Sequence, residues 1–129
     1  MISPQEDNLR ARINSIIPEG LEHLESIIFL DPNKALEIAS VIISFSCQAQ
    51  HTGSIMAGRK AFERLPEPWL SLNLPFLIDK TLDLNEEWEF LRLLELLDEV
   101  NHNLLSTYVT IGLKHANSEI RAAAQQFAR

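Results

Sequence analysis

Residues 33–51 read NKALEIASVIISFSCQAQH, and this stretch decides the fold class. Glu37, Ser40, Ser44, Gln48 and His51 recur at intervals of 3, 4, 4 and 3, which is one narrow polar stripe at helical period. Nearly everything between them is apolar, from Ala35 and Leu36 through Ile42 and Ile43 to Cys47 and Ala49. The β-branched content would suit a strand, but the length and the stripe predict a helix over about 33–51, covered on most sides by neighbours.

Working outward, prolines punctuate the chain. Pro4, Pro18, Pro32, Pro66 and Pro68 all fall where a helical pattern starts or ends, the positions where proline costs least. Ser3-Pro4-Gln5-Glu6 forms a capping box for a first helix, with Ile13, Ile16 and Ile17 on its apolar side. A second helix is predicted over about 19–30, stopped by Asp31-Pro32, which also caps the third. The fourth follows Thr52 and runs to about 65; the fifth covers about 68–83, with a kink or short break at Pro75.

Asn85 is expected to cap the sixth helix, with Glu86 and Glu87 in its first turn at the positive end of the dipole. Trp88, Phe90, Leu91, Leu93, Leu94, Leu96, Leu97 and Val100 almost surround that helix with apolar surface, so Trp88 is expected in the core. The seventh covers about 102–115, with Asn103, Thr107, Thr110 and Lys114 as its polar stripe. The eighth covers about 118–128, with Ile120, Ala123, Ala124 and Phe127 on one side. No strand pattern and no Asn-Gly or Asp-Gly hairpin signal interrupts this, so the expected fold is all-α.

The spacing carries a period. The even-numbered helices begin near 19, 53, 86 and 118, or 34, 33 and 32 apart, and the odd-numbered near 3, 33, 68 and 102, or 30, 35 and 34 apart. Intervals in the low thirties are what helical-hairpin repeats produce, each unit holding two helices and two turns. Residues 104–129, LLSTYVTIGLKHANSEIRAAAQQFAR, add an amphipathic helix, a polar turn, an Ile-Arg pair and a small-residue second helix.

This resembles the HEAT-repeat pattern, with Ile120, Arg121, Ala124 and Phe127 in matching positions and His115-Ala116-Asn117 in place of the usual Asp-Pro turn. Upstream, Leu30-Asp31-Pro32-Asn33 is as similar to a tetratricopeptide boundary, although Gly20, Leu24 and Ile27 replace the residues expected before it. The resemblance implies a short α-solenoid of about four antiparallel hairpins, HEAT- or armadillo-like, with a closed helical bundle as the alternative.

With 129 residues, 46% apolar and 22% charged, the chain is expected to form one domain that buries about two-thirds of its unfolded surface. The net charge of −7 divides as −4 over 1–45, +1 over 46–82 and −4 over 83–129, which speaks against a nucleic-acid partner. Cys47, the only cysteine, excludes an internal disulfide, and the first residues lack the pattern of a secretory signal. The most apolar run, 35–45, is too short to span a bilayer. A cytoplasmic location without membrane attachment follows as the expectation.

Several motifs invite chemistry and are better explained otherwise. Gly53-Ser-Ile-Met-Ala-Gly58-Arg59-Lys60 approaches a phosphate-binding loop, but Arg59 stands where the lysine belongs, Lys60 where the hydroxyl belongs, and a helix precedes it. Glu99 and His102 have di-iron spacing without the second such pair. Cys47 and His51 are two ligands where a metal site needs more, and Glu22, His23 and Glu25 form an acidic face.

No catalytic, metal or cofactor residue is therefore assigned. Arg59, Lys60 and Arg64, the one basic cluster, together with Trp69 at a loop-to-helix junction, are the candidate interaction surface. The expected role is a non-enzymatic protein–protein interaction module or scaffold, its partner another protein or a peptide, with self-association through an exposed end as a further option. The alternative is an enzyme, or a lyase- or glycosylase-type subunit, on a HEAT-like scaffold, which would need those four residues and a carboxylate around one concavity.

Overall fold

A computed structural model of the chain describes residues 3–128, apart from the side chain of His102. In chain order the elements are α1 (Pro4–Asn14), a 3-10 segment (Gly20–Phe29), α2 (Pro32–Cys47), α3 (Thr52–Phe62), α4 (Glu67–Thr81), α5 (Glu87–Val100), α6 (His102–Leu113) and α7 (Ser118–Phe127). The fold is all-helical, with no strand among the described residues. It falls into two compact units, divided between Thr81 and Leu82.

In the first unit α2 is the central element, packed by α1, the 3-10 segment, α3 and α4. Asp31 caps it, its carboxylate accepting from the Asn33 and Lys34 amides at 3.0 and 3.2 Å. Ala35, Ile38, Ala39, Ile42, Ile43 and Cys47 are buried. Ser46, also buried, satisfies its hydroxyl by donating to the Ile42 carbonyl at 2.9 Å. The helix ends at Cys47, short of the expected 51. His51, the last member of the polar stripe, has left it to cap α3, its Nδ1 accepting from the Gly53 amide at 3.0 Å.

α3 lies close against α2 at Gly58. A Cβ at Gly58 would stand 2.6 Å from the Ser46 amide nitrogen and 2.7 Å from the Ser46 hydroxyl. Ala57 and Ala61 beside it are buried. The sequence that approached a phosphate-binding loop is thus a helix face cut back to admit a neighbour's backbone.

The predicted second helix is corrected. Glu19 enters in the left-handed region at φ 62°, and Gly20–Phe29 winds as a 3-10 segment interrupted by non-helical angles at His23 and Ser26. The reason lies in what is buried: Leu21, Leu24 and Ile27 recur every third residue, the 3-10 repeat, while Ile28 and Phe29 are left outside. In α4, Pro75 lies inside a continuous helical assignment. Proline brings no N–H to the ladder, and both Pro75 and Ser71 one turn back are exposed, so the defect faces solvent.

The second unit consists of α5, α6 and α7 in mutual contact. Glu86, rather than Asn85, caps α5, its carboxylate accepting from the Glu89 amide at 2.8 Å. Asn85 instead accepts at Oδ1 from His115 Nε2, 2.8 Å away. Phe90, Leu93, Leu94, Leu96 and Leu97 are fully buried, but Trp88 is 58% exposed, which overturns its expected place in the core. Gly112 lets α6 close on both partners; a Cβ there would come within 2.6 Å of the Phe90 ring and 2.8 Å of Ala124. Arg121 grips the turn before α7, donating from Nη1 to the carbonyls of His115 and Ala116 at 2.8 and 2.9 Å.

Gly58→Ala should destabilise the chain by about 1–3 kcal/mol, because the close atoms are backbone and outweigh the roughly 1 kcal/mol of helix propensity gained. Gly53→Ala should be neutral or slightly stabilising, since only the movable end of Gln5 lies near, at 2.9 Å. Urea denaturation of both variants checks this, and equal effects would show that closeness to α2 is not what position 58 serves.

Candidate functional site

The four residues singled out by sequence do not meet in one concavity. Arg59, Lys60 and Arg64 lie on α3 or just beyond its end, and Lys60 and Arg64 face carboxylates of neighbouring elements. Arg64 donates from Nε and Nη2 to the two oxygens of Glu25 on the 3-10 segment, both at 2.9 Å. Lys60 Nζ stands 3.9 Å from Glu6 of α1, and Arg10 pairs with Glu22. Lys60 and Arg64 line a recess of about 80 Å³ with Glu6, Leu9, Leu21 and Ala57; neither Arg59 nor Trp69 reaches it. Arg59 is half-buried, and Trp69 is half-buried in the first turn of α4.

The Glu25–Arg64 pair is bidentate, the strong geometry for such a contact. Its hydrogen bonds hold the Glu25 carboxyl down at about 2, with the adjacent charge helping and desolvation opposing, and the Arg64 guanidinium is raised by the same hydrogen bonds. Both side chains remain in contact with water, 61% exposed for Glu25, so salt screens the pair. It joins the 3-10 segment to α3 and gives no free positive face.

The other motifs take structural places. Cys47 is buried at the end of α2, and His51 Nδ1 accepts from the Gly53 amide while its Nε2 lies 3.2 Å from the side-chain amide group of Gln5. His23 lies 3.9 Å from Glu19. Glu99 is on α5, and the side chain of His102 lies outside the described residues. Among the described residues no three His, Cys, Asp or Glu side chains converge as a metal site, and no helix is long and apolar enough to cross a membrane.

Three further surfaces stand out among the described residues. The polar stripe of α2 opens into a groove of about 480 Å³ between α1 and α4, where Ser40, Ser44 and Gln48 meet Arg12, Lys80 and Thr81. Much of its polarity is answered internally: Gln48 Nε2 donates to the Thr81 carbonyl at 2.7 Å, and the Thr81 hydroxyl donates to Ser40 at 3.3 Å.

The second surface is the outer face of α4, where Trp69, Leu72 and Phe76 follow at i, i+3 and i+7. Leu72 is 81% and Phe76 56% exposed, and Lys80 stands 6.0 Å from the Phe76 ring centre. The third is a slot of about 210 Å³ between α5 and α7, walled by Trp88, Glu87 and Glu119.

Sequence reasoning found Trp69 and missed Leu72, Phe76 and Trp88. The signal for Trp88 was present. At about 100° per residue it falls roughly 160° from Phe90, in the arc of Arg92, Glu95 and Glu99. Counting apolar residues on α5 hid their angular distribution. No protein-family model, curated protein or solved structure matches the chain.

The depressed Glu25 carboxyl sets a pH dependence. A carboxyl held below its unfolded value contributes stability above about pH 4.5, and that contribution is lost as pH falls toward 2. Wild type should therefore exceed Glu25→Gln in melting temperature near neutrality, with the gap closing through that window and narrowing in high salt. A gap unchanged from pH 6 to pH 2 would show that the ion pair does not hold the segment.

Proposed function

We propose that this chain is a non-enzymatic interaction module, a short stack of antiparallel helical hairpins that binds another protein. One observation carries the reading: the outward face of α4 presents Trp69, Leu72 and Phe76 along one helical stripe, with the last two more than half exposed. Contiguous exposed apolar side chains on a helix mark places where a partner removes them from water. A stripe at i, i+3 and i+7 matches the apolar face of a partner helix.

The stacked arrangement is favoured over a closed bundle by spacing. Alternate elements begin at Gly20, Thr52, Glu87 and Ser118, 32, 35 and 31 residues apart. The HEAT-like resemblance of 104–129 supports the same reading, with Arg121 gripping the turn between the two helices of that hairpin. Glu6 and Glu25, set against Lys60 and Arg64, favour a protein partner over nucleic acid. A single buried cysteine fits a reducing compartment such as the cytoplasm.

A photo-crosslinking residue at position 72, in cells producing the chain, should trap one discrete partner protein. Leu72→Glu with Phe76→Glu should abolish the adduct while leaving the unfolding free energy from urea denaturation within about 0.5 kcal/mol of wild type, because both positions face solvent. Adducts only between copies of the chain would replace the reading with self-association. Labelling no stronger than from a probe at exposed Asn8 would end it.

A further inference from the structure

The slot between α5 and α7 has a chemical character of its own. Trp88 belongs to a helix whose other large apolar residues are buried or half-buried, yet it is 58% exposed and forms one wall. The floor is made of small residues, Ala122 and Ala123, which is what leaves room for about 210 Å³ of space. Glu87 comes from the first turn of α5 and Glu119 from the first turn of α7, one carboxylate from each helix.

Among the described residues neither carboxylate has a cationic partner. The nearby cations are engaged elsewhere: Arg92 with Glu95 at 2.8 Å, and Arg121 with the carbonyls of the turn before α7. From residue 83 onward the chain carries eight acidic and four basic residues. An exposed indole face, two unmatched carboxylates and an apolar floor together define a receptor for an organic cation with a flat or slender apolar stem. Bulk water or a metal ion would leave the indole and the alanines without a role.

We propose that this slot receives an arginine side chain from a partner protein, with the guanidinium stacked on Trp88 and hydrogen-bonded by Glu87 and Glu119. Arginine is the fitting cation because its planar head stacks on an aromatic face while its edge donates two hydrogen bonds to a carboxylate. The three methylenes behind the head suit the alanine floor. The assignment deepens the reading of the chain as a protein-binding module by naming a feature its partner must present. It concerns a different surface from the α4 stripe, so the two can fail separately.

The test is a proton–nitrogen correlation titration of the full chain with blocked Gly-Arg-Gly, followed at the tryptophan indole signals and assigned with Trp88→Phe. The Trp88 indole should shift saturably, with a dissociation constant on the order of millimolar for one side chain. Gly-citrulline-Gly, which keeps the shape and loses the charge, should bind at least about tenfold more weakly. Glu87→Gln with Glu119→Gln should weaken the arginine peptide by a similar factor, and higher salt should weaken it further.

An unmoved Trp88 signal overturns the proposal, as does equal response to the arginine and citrulline peptides. Tighter binding of Gly-Lys-Gly than of Gly-Arg-Gly overturns the choice of arginine. If Trp88→Phe disturbs folding, the carboxamide double variant still decides, since Glu119 is exposed and Glu87 half-buried. Loss of crosslinking at position 72 with peptide binding intact would count against the module reading alone; the converse would count against the slot alone.

Discussion

The closeness of α3 to α2 is the constraint on which the first unit depends. The backbone at Ser46 lies where a side chain at residue 58 would begin, so that position must be glycine, and Ala57 and Ala61 beside it stay small. The same closeness explains why Ser46 is tolerated in an apolar interior: its hydroxyl folds back onto the Ile42 carbonyl. With α3 against one side and α1, α4 and the 3-10 segment against others, α2 keeps only its stripe of Glu37, Ser40, Ser44 and Gln48 toward a groove. In the second unit Gly112 does for α6 what Gly58 does for α3, admitting Phe90 and Ala124 together.

Around this core the charges act as fasteners. The 3-10 segment buries only Leu21, Leu24 and Ile27 among its large side chains and lacks the regular hydrogen-bond ladder of an α-helix. Glu22 and Glu25 give it anchors to Arg10 and Arg64 on α1 and the end of α3. Of the basic cluster that resembled a docking surface in the sequence, Arg64 is held in such a link, while Lys60 stands 3.9 Å from Glu6 and stays 78% exposed. Two of the open surfaces are apolar or acidic, the α4 stripe and the Trp88 slot.

The helical fold and most element positions were legible because burial repeats at helical period and because the caps are local. Ser3 and Asp31 cap as the sequence indicated, their oxygens accepting from amides two or three residues on. Three features were less legible, each for a physical reason. The 3-10 segment offered Leu24, Ile27 and Ile28 to either a three- or a four-residue step, and only packing against α1 and α2 chose the former. Asn85 and Glu86 are both competent caps, and His115, thirty residues away, took Asn85. The partners of Lys60 and Arg64 come from Glu6 and Glu25, far off in sequence, so the loss of that positive face is a tertiary fact. Trp88, by contrast, was readable from its angle on the helix.

The grip of Arg121 on the turn before α7 has a consequence for how that turn can vary. Its guanidinium holds the oxygens of His115 and Ala116, atoms that every amino acid supplies. The contact is therefore blind to composition at Ala116 but sensitive to register. Drift in the identity of that residue passes unnoticed, whereas one residue inserted between 117 and 121 rotates the arginine by about 100° and breaks the clasp. Such a hairpin tolerates spelling changes and punishes frameshifts in length, so its shape can outlast its sequence.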